Sequence, residues 1–259
     1  MDTVNNRPVG VFDSGVGGIS VLRELYRLLP HENYVFYGDS ANAPYGTRST
    51  LEVRQLSLAV TRKLLSHQVK ALVIACNTAT SAAIQQIRQH YPKLPVVGLE
   101  PAVKPAVEQF PQTNIAVMAT ELTLREVKLQ KLFERYQDQA KLIKVPAPAL
   151  VEYVEKGDLN TPEVRAYLTD LLAPLGKLSS IVLGCTHFPF IKPALEQVVG
   201  TQPRIIDGGS GAARELQRVL TKADLLNPAV DQGKVTFYNS NPDPAEITLS
   251  QRLFQTPLD

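Results

Sequence analysis

The chain alternates short apolar runs with longer stretches in which apolar residues return every third or fourth position. Residues 9–12 form a first run, and Val21, Leu22, Leu25, Leu28 and Leu29 follow at helical spacing. Residues 34–37 read as a second strand, and a helix is predicted over about 51–67. A third run, 71–75, stops at Cys76, and a helix is predicted from Thr78 to about Gln89. A strand at 96–99 follows, with Glu100 and Pro101 opening a further helix. The rhythm then repeats: a strand at 114–118, one helix over 122–136, a strand at 142–145, helical stretches from Ala149 and from Pro162, and a strand at 181–184 that stops at Cys185. Ile205 and Ile206, and then 235–238, are the last strands, and the tail reads as helical.

Strands alternating with helices imply an α/β fold with parallel sheets and helices on both faces. The two runs that stop at cysteine are almost wholly apolar, as strands buried on both faces must be. No short repeat, low-complexity tract or clear linker interrupts the chain, and its 259 residues suffice for two similar α/β halves. Composition adds exclusions. Lys plus Arg number 27 against 25 for Asp plus Glu, a net charge of +2 without a basic run, which gives no sign of a nucleic-acid partner. No apolar stretch approaches the roughly 20 residues that span a bilayer. Residues 1–6 lack the charged-then-apolar pattern of a signal peptide. The expectation is a cytoplasmic protein, where a structural disulfide is uncommon.

The chain's only two cysteines occupy matching places. Cys76 opens Cys76-Asn77-Thr78-Ala79-Thr80, and Cys185 opens Cys185-Thr186-His187-Phe188-Pro189; each follows a strand and precedes a helical pattern. Ligands of open α/β sheets bind at the carboxyl ends of the strands, and a helix N-terminus draws a thiol's pKa from about 8.5 towards neutrality. One thiolate could take a proton and the other thiol give one back. Singly, each cysteine could equally be a small core residue, with Asn77 or Thr78 serving as a helix cap. His187 is too close to Cys185 for a zinc pattern, and two cysteines are too few for one. No metal is expected, and His187 reads either as a base or stabiliser for the thiol or as a capping or surface residue.

Three other motifs carry alternatives. Asp13-Ser14-Gly15-Val16-Gly17-Gly18 sits between strand and helix like a dinucleotide-binding loop, but Ser20 stands where the third glycine belongs. The glycines could bring backbone N–H groups close to a small ligand, with Asp13 meeting a cation or handling a proton; a tight turn with a capping Asp or Ser fits as well. Pro44-Tyr45-Gly46-Thr47 is a turn bearing an aromatic hydroxyl. Glu152 is an acid on a largely apolar helix face, or simply a solvated helix charge. A nucleotide-binding or non-catalytic α/β module conflicts with the failed glycine fingerprint, and a thiol redox protein with the lack of a Cys-x-x-Cys pair.

Taken together, Phe12-Asp13-Ser14-Gly15-Val16-Gly17-Gly18, Ala43-Pro44-Tyr45-Gly46, Cys76-Asn77-Thr78-Ala79-Thr80 and Gly184-Cys185-Thr186-His187-Phe188-Pro189 resemble the cofactor-independent glutamate racemase family. The resemblance runs from about Val9 to Asp207. It implies two pseudo-symmetric α/β domains, 1–98 plus about 208–259 and 99–207, with largely parallel sheets and an active site in the cleft between them. It implies interconversion of L- and D-glutamate for peptidoglycan synthesis by a homodimer needing no cofactor. Aspartate or another small acidic amino acid is the alternative substrate. Cys76 and Cys185 match the two acid/base thiols, Asp13 and His187 the groups beside them, and Glu152 a further assisting acid. Ser14, Tyr45, Gly46, Asn77, Thr78, Thr120 and Thr186, together with Asp13 and His187, match substrate-contacting positions. Ala119 stands where the family usually has Gly before the Thr.

Overall fold

The computed structural model describes residues 4–256. The extreme ends of the first expected domain, and part of the amino-terminal segment read for secretion, lie outside the described residues. Four parallel strands, β1 (Val9–Asp13), β2 (Tyr34–Gly38), β3 (Ala71–Ile74) and β4 (Val96–Gly98), lie in the order β4-β3-β1-β2. Four more, β5 (Asn114–Ala119), β6 (Lys141–Pro146), β7 (Ser180–Leu183) and β8 (Arg204–Asp207), form a second parallel sheet in the order β6-β5-β7-β8. The two orders are one pattern with each number raised by four. β9 (Val235–Asn239) then joins the first sheet beside β2, so the chain returns to where it began.

In the first half, α1 (Ile19–Leu28), α2 (Thr50–Ser66) and α3 (Asn77–His90) connect the strands. α4 (Val103–Gln109) opens two residues later than Glu100-Pro101 suggests. The single helix expected over 122–136 is two helices, α5 (Glu121–Arg125) and α6 (Val127–Tyr136), because Glu126 takes an extended ψ of 135°. Its sequence is compatible with helix, so the break is tertiary: the Thr50 hydroxyl lies 3.4 Å from the Glu126 carboxylate. α7 (Ala149–Lys156), α8 (Pro162–Leu172) and α9 (Lys192–Val199) flank the second sheet. α10 (Gly209–Lys222) packs on α1, and α11 (Pro244–Gln255) on α1 and β9.

β1, β3 and β7 are buried along their whole length, as continuous apolar runs require. One apolar core runs from the α1 side of the first sheet to the α7–α9 side of the second, through Val16, Ile19 and Phe188. The lobes therefore meet through hydrophobic packing. Among the described residues no helix is long and apolar enough to cross a membrane.

Candidate active site

In each sheet the chain runs outward from a central strand and then crosses to its other side. The switch points fall between β1 and β3 and between β5 and β7, where open α/β sheets form ligand crevices at the strands' carboxyl ends. Asp13 ends β1, Cys76 lies two residues beyond β3, Thr120 follows β5, and Cys185 lies two residues beyond β7. Topology alone thus places two expected site residues at the switch point of each sheet.

Cys76 is the N-cap of α3, and its sulfur accepts the Ala79 N–H at 3.4 Å. Its thiol donates to the Ser14 hydroxyl at 3.7 Å. The expectation of a lowered pKa is not met. Burial, and then the Asp13 carboxylate, push the thiol well above the ordinary cysteine range, and the Ala79 N–H opposes them only in part. Cys185 differs. Behind it comes a short 3₁₀ turn, Phe188–Ile191, and α9 begins only at Lys192, so the thiol has no α-helix N-terminus at its back. Its partner is His187, whose Nδ1 lies 3.6 Å from the sulfur.

The other face of His187 meets a different acid from the expected Glu152. Nε2 lies 2.5 Å from Oε1 of Glu155, a contact buried on the histidine side, to a residue three positions beyond Glu152. Glu152 is exposed on α7. The helix explains the correction. Leu150, Val151 and Val154 are its buried face; at 3.6 residues per turn, Glu152 lies about 150° from the centre of that face and Glu155 about 90°. Glu155 borders the interior while Glu152 points away. Burial would pull the His187 imidazolium down, but its contacts with Cys185 and Glu155 outweigh this and hold it well above the ordinary histidine range. Burial likewise pushes Glu155 up, yet the His187 hydrogen bond and charge keep it below the ordinary carboxylate range. Both shifts favour the imidazolium–carboxylate form of the pair, in which both ring nitrogens donate.

The glycine turn serves this pair. A Cβ on Gly15 would strike the Glu155 carboxylate, and one on Gly17 the His187 ring. The Val16 N–H, which the glycine pattern could have reserved for a ligand, donates to Glu155 Oε1 at 2.9 Å. Asp13 is fully buried; it accepts the Gly15 N–H at 3.3 Å and the Thr186 hydroxyl at 3.2 Å. Burial pushes its carboxyl up, and the neighbouring His187 charge opposes that. The Ser20 hydroxyl donates to the Thr186 carbonyl at 2.8 Å and fixes the Cys185–Thr186 loop on α1.

The remaining positions line the other side. Thr78, Thr120 and Thr123 form a buried triangle of hydroxyls with sides of 3.0 to 3.2 Å. Thr120 caps α5 with ordinary extended dihedrals, so Ala119 costs the turn nothing. Thr123 was not singled out from sequence, although its place three residues after a capping Thr is a recognisable pattern. Asn77 is buried, and its Oδ1 has no hydrogen-bond partner among the described residues. Tyr45 is buried with its hydroxyl donating to Asp39 at 2.6 Å, which commits that hydroxyl to holding the 3₁₀ turn Tyr45–Thr47. A Cβ on Gly46 would come within 2.7 Å of the Thr120 side chain, so glycine lets this first-lobe turn close on the second lobe.

Residues 10–216 match the sequence profile of the Asp/Glu/Hydantoin racemase family. A glutamate racemase of Clostridium acetobutylicum is 47% identical over 253 residues, 97% of this chain and 98% of that protein. One from Clostridium perfringens is 43% identical over 256 residues, 98% of each. Among solved structures, glutamate racemase from Francisella tularensis in complex with D-glutamate superposes with a TM-score of 0.83 at 26% identity, covering 97% of this chain and 95% of that one. The Escherichia coli enzyme in complex with L-glutamate and the activator UDP-MurNAc-Ala gives 0.82 at 28%, covering 95% of each. On full-length identity and on fold, the chain belongs to the Asp/Glu/hydantoin racemase family, as one of its glutamate racemases.

Proposed function

We propose that this protein interconverts L- and D-glutamate by 1,1-proton transfer between Cys76 and Cys185, without an added cofactor. The observation that carries the reading is the placement of two buried free thiols at equivalent points of two repeated sheets, bound into one cluster by the Asp13–Thr186 contact across the lobes. One thiolate removes the α-proton from one face of the substrate, and the opposing thiol delivers a proton to the other; the roles exchange for the reverse direction. The α-ammonium is held by Asp13 and the unpaired Asn77 Oδ1, and a cation there favours the Asp13 carboxylate over its neutral form. The Thr78 hydroxyl and the α3 N-terminus hold the carboxylates, while Thr186 donates to Asp13 and Thr120 to Thr123 and so orient those groups. Preorganised donors of this type stabilise developing carbanion charge by about 3 kcal/mol each. Asp13 assists on the Cys76 side and His187 with Glu155 on the Cys185 side.

Buried, unpaired thiols suit the reducing cytoplasm, and the product suits peptidoglycan synthesis. The family resemblance further implies a homodimer, which sedimentation tests. The central test is circular dichroism of L-glutamate with purified protein and no additive. Cys76→Ser and Cys185→Ser should each nearly abolish the signal change, and near wild-type turnover in either variant overturns the two-thiol scheme.

A further inference from the structure

The Glu155 carboxylate has a second oxygen, and its partner leads away from the substrate. Oε2 faces the Ser40 hydroxyl at 3.4 Å. Ser40 Oγ is in turn 2.9 Å from Nδ2 of Asn239, the last residue of β9. The same Nδ2 lies 3.2 Å from Glu246 Oε2 on the first turn of α11, while Asn241 Nδ2 holds Glu246 Oε1 at 2.9 Å. The orientation of the Asn239 amide is fixed by its other end, because Oδ1 accepts the Asn241 backbone N–H at 2.8 Å. Nδ2 therefore faces Ser40, and an amide nitrogen can only donate. Its two hydrogens go to Ser40 and Glu246. Ser40 Oγ must accept from Asn239, which leaves its own hydrogen for Glu155. The approach needs Gly38, which stands opposite Asn239 in the β2–β9 register: a Cβ there would come within 3.0 Å of the amide nitrogen.

We propose that Ser40 and Asn239 are positioning residues for the Glu155–His187 pair, and that through them the carboxyl-terminal β9–α11 segment sets the working pH range of the Cys185 side. The proposal rests on the assignment of Glu155 and His187 to Cys185 made above. Ser40 stabilises the charged form of Glu155, and the charged form in turn holds the proton on His187. The ionisable groups facing Glu155 are His187 and Asp13 on the inner side, Glu152 and Lys156 on its own helix, and Glu246 and Arg252 on α11. Lys156 and Arg252 favour the carboxylate; Asp13, Glu152 and Glu246 oppose it. Loss of the Ser40 donor should then raise the Glu155 pKa and lower that of His187.

The test compares pH profiles of racemisation, from about pH 6 to 10 and in both directions, for Ser40→Ala, Ser40→Thr, Asn239→Asp and Glu155→Gln. Asn239→Asp keeps the shape but turns the donor into an acceptor, so the Ser40 hydrogen turns away from Glu155. Ser40→Ala and Asn239→Asp should narrow the bell, its basic limb falling by about 0.5 to 1 pH unit, with kcat about 3- to 10-fold lower at neutral pH and KM nearly unchanged. Ser40→Thr, which keeps the hydroxyl, should restore the wild-type profile. If Asn239→Asp does not fold, Ser40→Ala decides alone. Wild-type profiles for Ser40→Ala and Asn239→Asp, beside a displaced profile for Glu155→Gln, overturn the proposal and leave the assignment of Glu155 intact. A wild-type profile for Glu155→Gln overturns that assignment and the proposal with it.

Discussion

Exchanging Glu155 for glutamine, with Glu152→Gln as its control, separates two acids three positions apart on α7. The His187–Glu155 contact is 2.5 Å, with the histidine side chain 2% exposed and the glutamate 19%. Stranding a buried charge costs about 3–5 kcal/mol, but His187 can shed its proton, and a glutamine oxygen can still accept the Val16 N–H. The loss is then that of one charge-assisted hydrogen bond, about 2 kcal/mol. If the imidazolium stabilises the Cys185 thiolate in the transition state, this energy corresponds to a fall in kcat/KM of about 30-fold. The equilibrium constant between enantiomers is one, so kcat/KM must fall equally in both directions. Asymmetry can show only in kcat, KM and the α-deuterium isotope effect of each direction. Exposed Glu152→Gln should change stability by less than about 0.5 kcal/mol and activity hardly at all.

The same variant has a pH signature in stability. Glu155 is depressed in the folded protein, so its contribution is present above its unfolded pKa of about 4.3 and is lost as pH falls through the folded value. His187 is raised, so its contribution is complete below about 6.5 and is lost as pH rises through a folded value well above that. The difference in unfolding free energy between wild type and Glu155→Gln should be largest between about pH 4.3 and 6.5 and shrink on either side. Thermal unfolding at about pH 5.5 and 9.5, alongside circular dichroism of racemisation, provides the assay. A pH-independent difference, or equal loss of activity in Glu152→Gln, refutes the argument.

Two further outcomes follow from the packing. Gly17→Ala puts a methyl group into the buried His187 ring; displacing the imidazole by about 1 Å should cost about 10²-fold in kcat with little change in KM, and a steady-state rate within threefold of wild type would contradict it. Lys70→Met strands Glu32, whose 2.6 Å contact with Lys70 is buried on both sides and whose other oxygen accepts the Asn227 N–H, so unfolding in urea should show a loss of about 3–5 kcal/mol that added Glu32→Gln largely restores.

How far the sequence could be read depended on whether local pattern or tertiary contact decided each feature. The apolar runs before Cys76 and Cys185 are buried parallel strands because no polar position interrupts them. The break at Glu126 was invisible, since a helix-compatible segment is interrupted by a contact with Thr50 from another lobe. The same holds behind Cys185, where the polar-then-apolar pattern suggested a helix and a 3₁₀ turn intervenes. The glycines of the β1–α1 turn were recognised as a close approach, but what approaches them, a histidine and a glutamate more than 130 positions away, could only come from the fold. Glu155 was legible in principle: the buried face of α7 can be drawn from Leu150, Val151 and Val154, and it excludes Glu152.

The repeated sheets place the thiols alike, yet their helpers differ in kind. Cys76 has a helix amide and a carboxylate; Cys185 has an imidazolium backed by a second carboxylate. A reaction with an equilibrium constant of one does not require matching helpers, because any stabilisation of the shared transition state serves both directions. What the two sides do share is the manner in which they are held. Asp13 of the first lobe accepts from Thr186 of the second; Glu155 of the second accepts from Val16 of the first; the first lobe's Gly46 lies against Thr120 of the second. Parting the lobes enough to admit a substrate strains all three contacts together. Each thiol nevertheless keeps its own helpers within its lobe, Asp13 with Cys76 and His187 with Cys185, so these contacts align the two sides with one another rather than build either one.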